Sequence, residues 1–154
     1  MEASTMKNDK KAGQKDPGRD KLSLGGATRK NLIVIDDDQG MRLLLSEVFG
    51  SLGYTVSGFS DAVGALKTVA VAEKDYDAII CDLNMPRISG LSFLSMLKKM
   101  GSTVPLILIT AFGTGKIERE AKSLGAFAYL SKPFQLSELS ELVRQATEKK
   151  ETHD

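Results

Sequence analysis

The feature that most constrains this chain is a fivefold alternation of short apolar runs with longer amphipathic stretches between residues 31 and 149. Leu32-Ile33-Val34-Ile35 is β-branched and apolar at every position, which predicts a strand covered on both faces. Met41, Leu44, Leu45, Val48, Phe49 and Leu52 then recur at steps of three and four, which predicts a helix over 40–52 stopped by Gly53. Tyr54 to Phe59 alternates like an outer strand, and Ser60 or Asp61 is placed to cap a helix carrying Val63, Leu66, Val69 and Ala70 on one side. The pattern repeats with a strand at Tyr76–Cys81, a helix at Gly90–Met100 and a strand at Leu106–Ile109 that Pro105 precedes without cost. A helix at Lys116–Leu124, a strand at Phe127–Leu130 and a helix from Ser137 to about Lys149 complete it, the last with Leu139, Leu142, Val143 and Ala146 inward.

Strict strand-helix alternation implies right-handed crossovers and a parallel sheet with helices on both faces. A length of 154 residues suits one such domain. Ligands of open α/β sheets bind beyond the carboxyl ends of the strands, so function is sought there. The first strand ends in Asp36-Asp37-Asp38, the third in Asp82, the fourth in Thr110, and the fifth runs into Lys132-Pro133.

Carboxylates gathered at one spot resist ionising together unless a cation offsets them. Hard oxygen donors suit Mg²⁺, which keeps several waters and uses few carboxylates directly. Asp82, held ionised, is then a carboxylate nucleophile able to form an aspartyl phosphate. Phosphoryl transfer asks mainly for positioning and positive charge, which Lys132 and the ion supply, while the Thr110 hydroxyl can donate to a phosphoryl oxygen. Ala111 is small enough to leave the approach open.

These residues, IVIDDD, CDLNMPRISG, ILITAFG and YLSKPF in that order, resemble the receiver domains of two-component response regulators from about Asn31 to Ala146. The resemblance implies a flavodoxin-like doubly wound five-stranded parallel sheet in the order 2-1-3-4-5. It implies that Asp36, Asp37, Asp82 and the backbone carbonyl of Asn84 bind Mg²⁺, that Asp82 accepts the phosphoryl group, and that Thr110 and Lys132 assist. It further implies a switch in which Thr110 moves inward and Tyr129 follows, rearranging the face of helix four, strand five and helix five. Phe112 and Asn84 occupy positions that tune phosphoryl lifetime in the family. The flanks of ITAFG are similar to receivers of nitrogen-regulator-type activators, and a cis bond before Pro133 is expected. The implied partners are a sensor histidine kinase or phosphotransfer protein, a downstream protein or missing output domain, and a second copy through the face just named.

Residues 1–30 are rich in Lys, Asp, Gly and Ser and are expected to be a disordered basic tail, with eight Lys or Arg against four Asp or Glu through residue 31. Residues 31–148 are expected to be the receiver and 149–154 a charged C-terminal tail; Met6 is a possible second start. The net charge of +1 gives no reason to expect nucleic acid, and no apolar run approaches the ~18 residues that span a bilayer. A single cysteine, Cys81, suits a reducing cytoplasm and reads as a small core hydrophobe. His153 reads as solvated and Asp38 as a helix cap or solvated acid. Gly113-Thr114-Gly115-Lys116 is not a nucleotide loop, because Thr110 and Ile117 stand where that motif needs Gly and Ser or Thr; its glycines are expected to form a mobile loop before helix four.

Two other functions compete. A haloacid-dehalogenase-type phosphatase would use Asp36 as nucleophile, but Gly40 stands where its motif carries Thr. A pseudo-receiver would serve only as a docking surface, and the complete set of site residues argues against it. The expectation is a signalling switch that catalyses only its own phosphoryl uptake and loss.

Overall fold

The computed structural model describes residues 28–153, with side chains through residue 148. Most of the expected N-terminal tail, Met6 included, and the side chain of His153 lie outside the described residues. Strands β1 (Asn31–Ile35), β2 (Thr55–Phe59), β3 (Ala78–Asp82), β4 (Leu106–Thr110) and β5 (Ala128–Ser131) form one sheet in the order β2-β1-β3-β4-β5. Every neighbouring pair is parallel. Helices α1 (Gln39–Ser51), α2 (Ala62–Ala72), α3 (Gly90–Lys99), α4 (Gly115–Ser123) and α5 (Leu136–His153) alternate with them. The doubly wound sheet and its order are those the sequence predicted.

Because successive strand residues face opposite ways, each run of apolar residues feeds two cores. Ile33, Ile35, Ile79, Cys81, Leu106 and Leu108 pack with Ala65, Val69, Phe93, Leu97 and Ala121 of α2, α3 and α4. Leu32, Val34, Ile80, Ile107 and Ile109 pack with Leu45 and Phe49 of α1 and Leu139, Val143 and Ala146 of α5. The strands β1, β3 and β4 are therefore apolar except at the terminal residues Asn31, Asp82 and Thr110, because both faces are covered, whereas β2 and β5 are sheet edges and only partly buried.

The starts of α1 to α4 are each set by a short polar side chain that accepts from an otherwise unpaired amide. Asp38 accepts from Gly40 N, Asp61 from Val63 N and Gly64 N, Ser89 from Ser92 N, and Thr114 from Ile117 N. Asp38 is thus the cap of α1, one of the two roles expected for it, and Asp61 rather than Ser60 caps α2. At the other end of α1, Gly53 takes a φ of 99°, which a side chain would oppose.

Three expectations are corrected. On α2 the buried stripe is Ala62, Ala65 and Val69, while Val63 and Ala70 face solvent. Val69 and Leu66 do pack into the core as expected, and the small Ala62 and Ala65 complete that face. Gly115 is the first residue of α4 and Thr114 its cap, so the glycine-rich stretch is partly helix instead of loop. Helix α5 runs on to His153 instead of ending near Lys149.

Candidate functional site

Parallel pairing in register brings the chemically distinctive residues together. Ile35 pairs with Cys81, so the next residues, Asp36 and Asp82, end adjacent strands side by side. Leu83 N donates to Ile109 O at 2.7 Å and Lys132 N to Thr110 O at 2.7 Å, which brings the ends of β4 and β5 into the same row. The order β1-β3-β4-β5 thereby becomes the spatial order Asp36, Asp82, Thr110, Lys132. The sequence-predicted site residues that lie at strand ends are brought to one edge of the sheet.

Asp36 and Asp82 are buried, whereas Asp37 is exposed. Lys132 Nζ lies 3.3 Å from Asp82 Oδ1 and 3.8 Å from Asp36 Oδ2. Asp36 Oδ1 accepts from Asp38 N at 2.9 Å, and the Arg42 guanidinium donates to the Asp36 carbonyl at 2.8 Å. Burial, then the nearby Asp36 carboxylate, pushes the Asp82 carboxyl above its ordinary range against the pull of Lys132. Burial does the same to Asp36, opposed by the Asp38 amide and Lys132 and reinforced by Asp37 and Asp38. One lysine therefore does not neutralise the pocket.

That deficit of positive charge, with the donor set, fits a divalent cation. One oxygen each from Asp36, Asp37 and Asp82 lie within 4.8 Å of one another, near the roughly 4 Å that separates opposite ligands of a small hard ion such as Mg²⁺.

Thr110 is fully buried at the end of β4. Its Oγ1 donates to Asn84 Oδ1 at 2.7 Å and accepts from Phe112 N at 3.0 Å. Tyr129, on β5, directs its hydroxyl inward, where it is buried with no hydrogen-bond partner among the described residues. A Cβ on Gly113 would fall 1.5 Å from that hydroxyl and 2.7 Å from Thr110 Cγ2. Burial, and then the Glu118 carboxylate, raises the Tyr129 hydroxyl above its usual pKa. Phe112 is 77% exposed at the rim. The Lys132–Pro133 bond is cis, as expected. Cys81 is fully buried, its thiol pushed up by that burial, and behaves as the core residue anticipated.

Three contributors were not foreseen, Arg42, Gly90 and Gly113, and for Asn84, expected through its carbonyl and as a lifetime-tuning position, the side-chain bond to Thr110 was not. At Gly90 a Cβ would meet the Asp82 carbonyl oxygen at 2.7 Å, so α3 starts pressed against the end of β3. The ISG triplet after Pro86 was the available signal for that approach. Among the described residues no helix is long and apolar enough to cross a membrane.

The response regulator receiver domain family model matches residues 32–144. Sporulation initiation phosphotransferase F of Bacillus subtilis (strain 168) is 30% identical over 116 residues, covering 75% of this chain and 92% of that protein. The DNA-binding transcriptional regulator NtrC of Escherichia coli (strain K12) is 34% identical over 113 residues, 73% of this chain, and the chain spans only 24% of its length. A crystal structure of a response regulator receiver domain protein from Clostridium thermocellum superposes with a TM-score of 0.77 at 26% identity, covering 81% of this chain and 99% of that one. The chain belongs to the response regulator receiver domain family, the signal-accepting modules of two-component phosphorelays.

Proposed function

We propose that residues 31–148 work as a phosphorelay switch in which Asp82 accepts a phosphoryl group from a sensor histidine kinase or phosphotransfer protein. The observation that carries this reading is the pairing of buried Asp82 with Lys132 at 3.3 Å in a pocket where two further acids, Asp36 and Asp37, approach within ion-sharing distance.

Asp82 attacks phosphorus; its new O–P bond forms as the bond to the donor breaks and the donor leaves with the electron pair. Lys132 offsets the charge carried by the phosphoryl oxygens. The Thr110 hydroxyl turns to donate to one of them. Asp36, Asp37, Asp82 and the Asn84 carbonyl would hold Mg²⁺, and Asp38 caps α1 without taking part. When bound, that ion supplies the positive charge that Lys132 alone leaves short. Exposed Ala111 leaves the donor an open approach. The downstream partner is a protein surface or an output domain reading the α4-β5-α5 face, with Tyr129 as its reporter, and a second copy of this chain is the further candidate for that face. The exchange takes place in the cytoplasm.

The test is phosphate uptake from a small-molecule phosphoryl donor with Mg²⁺. One phosphate per chain is expected, abolished by chelation and by Asp82→Asn. Stable uptake by Asp82→Asn would overturn the assignment, and uptake blocked only by Asp36→Asn would point to the phosphatase chemistry instead.

A further inference from the structure

We infer that the Asn84 side chain is a latch on Thr110, holding its hydroxyl proton away from Asp82 and setting how much of the phosphoryl group's binding energy is consumed in switching. The inference rests on the reading of Asp82 as the acceptor. A threonine hydroxyl has one proton to donate and two lone pairs to accept with. The Phe112 amide donates to Thr110 Oγ1 at 3.0 Å and occupies one lone pair. The single proton goes to Asn84 Oδ1 at 2.7 Å. Thr110 is wholly buried, so water does not provide ready alternatives to these partners.

A phosphoryl oxygen on Asp82 needs that same proton. The hydroxyl can serve it only by leaving Asn84, so each switching event exchanges one good hydrogen bond for another instead of gaining one outright. Asn84 is exposed, on the loop after β3, and its amide rehydrates once released. The latch therefore raises the threshold for the switched state without blocking it, because a ligand shifts such an equilibrium only by its differential affinity for the two states. Asn84 is accordingly a positioning residue that acts through Thr110.

Binding of beryllofluoride, a phosphoryl mimic, in the presence of Mg²⁺ tests this in four chains: wild type, Asn84→Ala, Thr110→Val and the double variant. Asn84→Ala is expected to bind roughly three- to tenfold more tightly than wild type, the worth of one ordinary hydrogen bond. In the Thr110→Val background the same change is expected to have no effect, because the latch has nothing to hold. In Mg²⁺-free protein the Phe112 amide resonance is expected to shift in Asn84→Ala, since its acceptor has lost a partner. Unchanged or weaker binding by Asn84→Ala, equal tightening in the Thr110→Val background, or an unmoved Phe112 resonance would each overturn the latch while leaving the acceptor reading intact. Failure of the wild-type chain to bind beryllofluoride with Mg²⁺ would instead remove the acceptor reading and the latch with it.

Discussion

Lys132 and Asp82 stand 3.3 Å apart, yet Asp82 remains harder to ionise than an ordinary carboxyl. Burial and the Asp36 carboxylate together outweigh the lysine. A pocket whose acids are short of positive charge fits the cation proposed for it better than a closed ion pair.

Removing the lysine therefore separates two properties. Lys132→Ala is expected to bind Mg²⁺ about five- to tenfold more tightly at neutral pH, since a competing cation is gone at an effective dielectric near 20. The rate of phosphoryl uptake is expected to fall by roughly 10²- to 10³-fold, as for loss of a donor to developing charge. Titration with Mg²⁺ and uptake kinetics on the same preparation check both directions.

The raised carboxyl of Asp82 fixes the sign of a pH dependence. Its folded-state pKa lies above its ordinary value of 3.8, so the folded chain holds this proton to higher pH than the unfolded chain does. The stability from that proton is full below 3.8 and is lost as pH rises through the folded value. Asp82→Asn should flatten this fall and leave the Mg²⁺-free protein more stable at neutral pH. Thermal unfolding across pH, with chelator present, measures it.

Tyr129 buries a hydroxyl that finds no partner among the described residues, and a buried unsatisfied group costs about 1–3 kcal/mol. Tyr129→Phe should be neutral or stabilising by up to about 1 kcal/mol. Gly113→Ala should drive the ring outward, because its methyl group would occupy the position of the hydroxyl. Thermal unfolding measures the first change, and quenching of tyrosine fluorescence in Gly113→Ala against wild type reads the second.

Gly90 tests the backing of the acceptor. A methyl group there meets the Asp82 carbonyl and Leu108 at 2.7 Å each, so Gly90→Ala should cost about 1–3 kcal/mol through overpacking. Denaturant unfolding measures the loss, and slower phosphoryl uptake should accompany it.

The sheet and the row of Asp36, Asp82, Thr110 and Lys132 were legible in the sequence because both follow from strand ends, and strand ends follow from where apolar runs stop. Asn84 was legible through its backbone carbonyl and as a lifetime-tuning position. Its side-chain bond to Thr110 joins residues 26 apart and depends on the path of the loop after β3, which no periodicity records. Gly90 and Gly113 matter through what a Cβ would strike, a property of neighbours brought close by folding. The inner face of α2 was legible in part: Leu66 and Val69 pack into the core, whereas Val63 and Ala70 face solvent and Ala62 and Ala65 take the buried positions.

Reductive trapping of the acyl phosphate tests the central claim most directly. After phosphorylation with a small donor and Mg²⁺, borohydride converts an aspartyl phosphate to homoserine, and peptide mass mapping locates it. Conversion at residue 82 alone is the result expected; conversion at Asp36 or Asp37, or none in a chain that has taken up phosphate, would contradict the account.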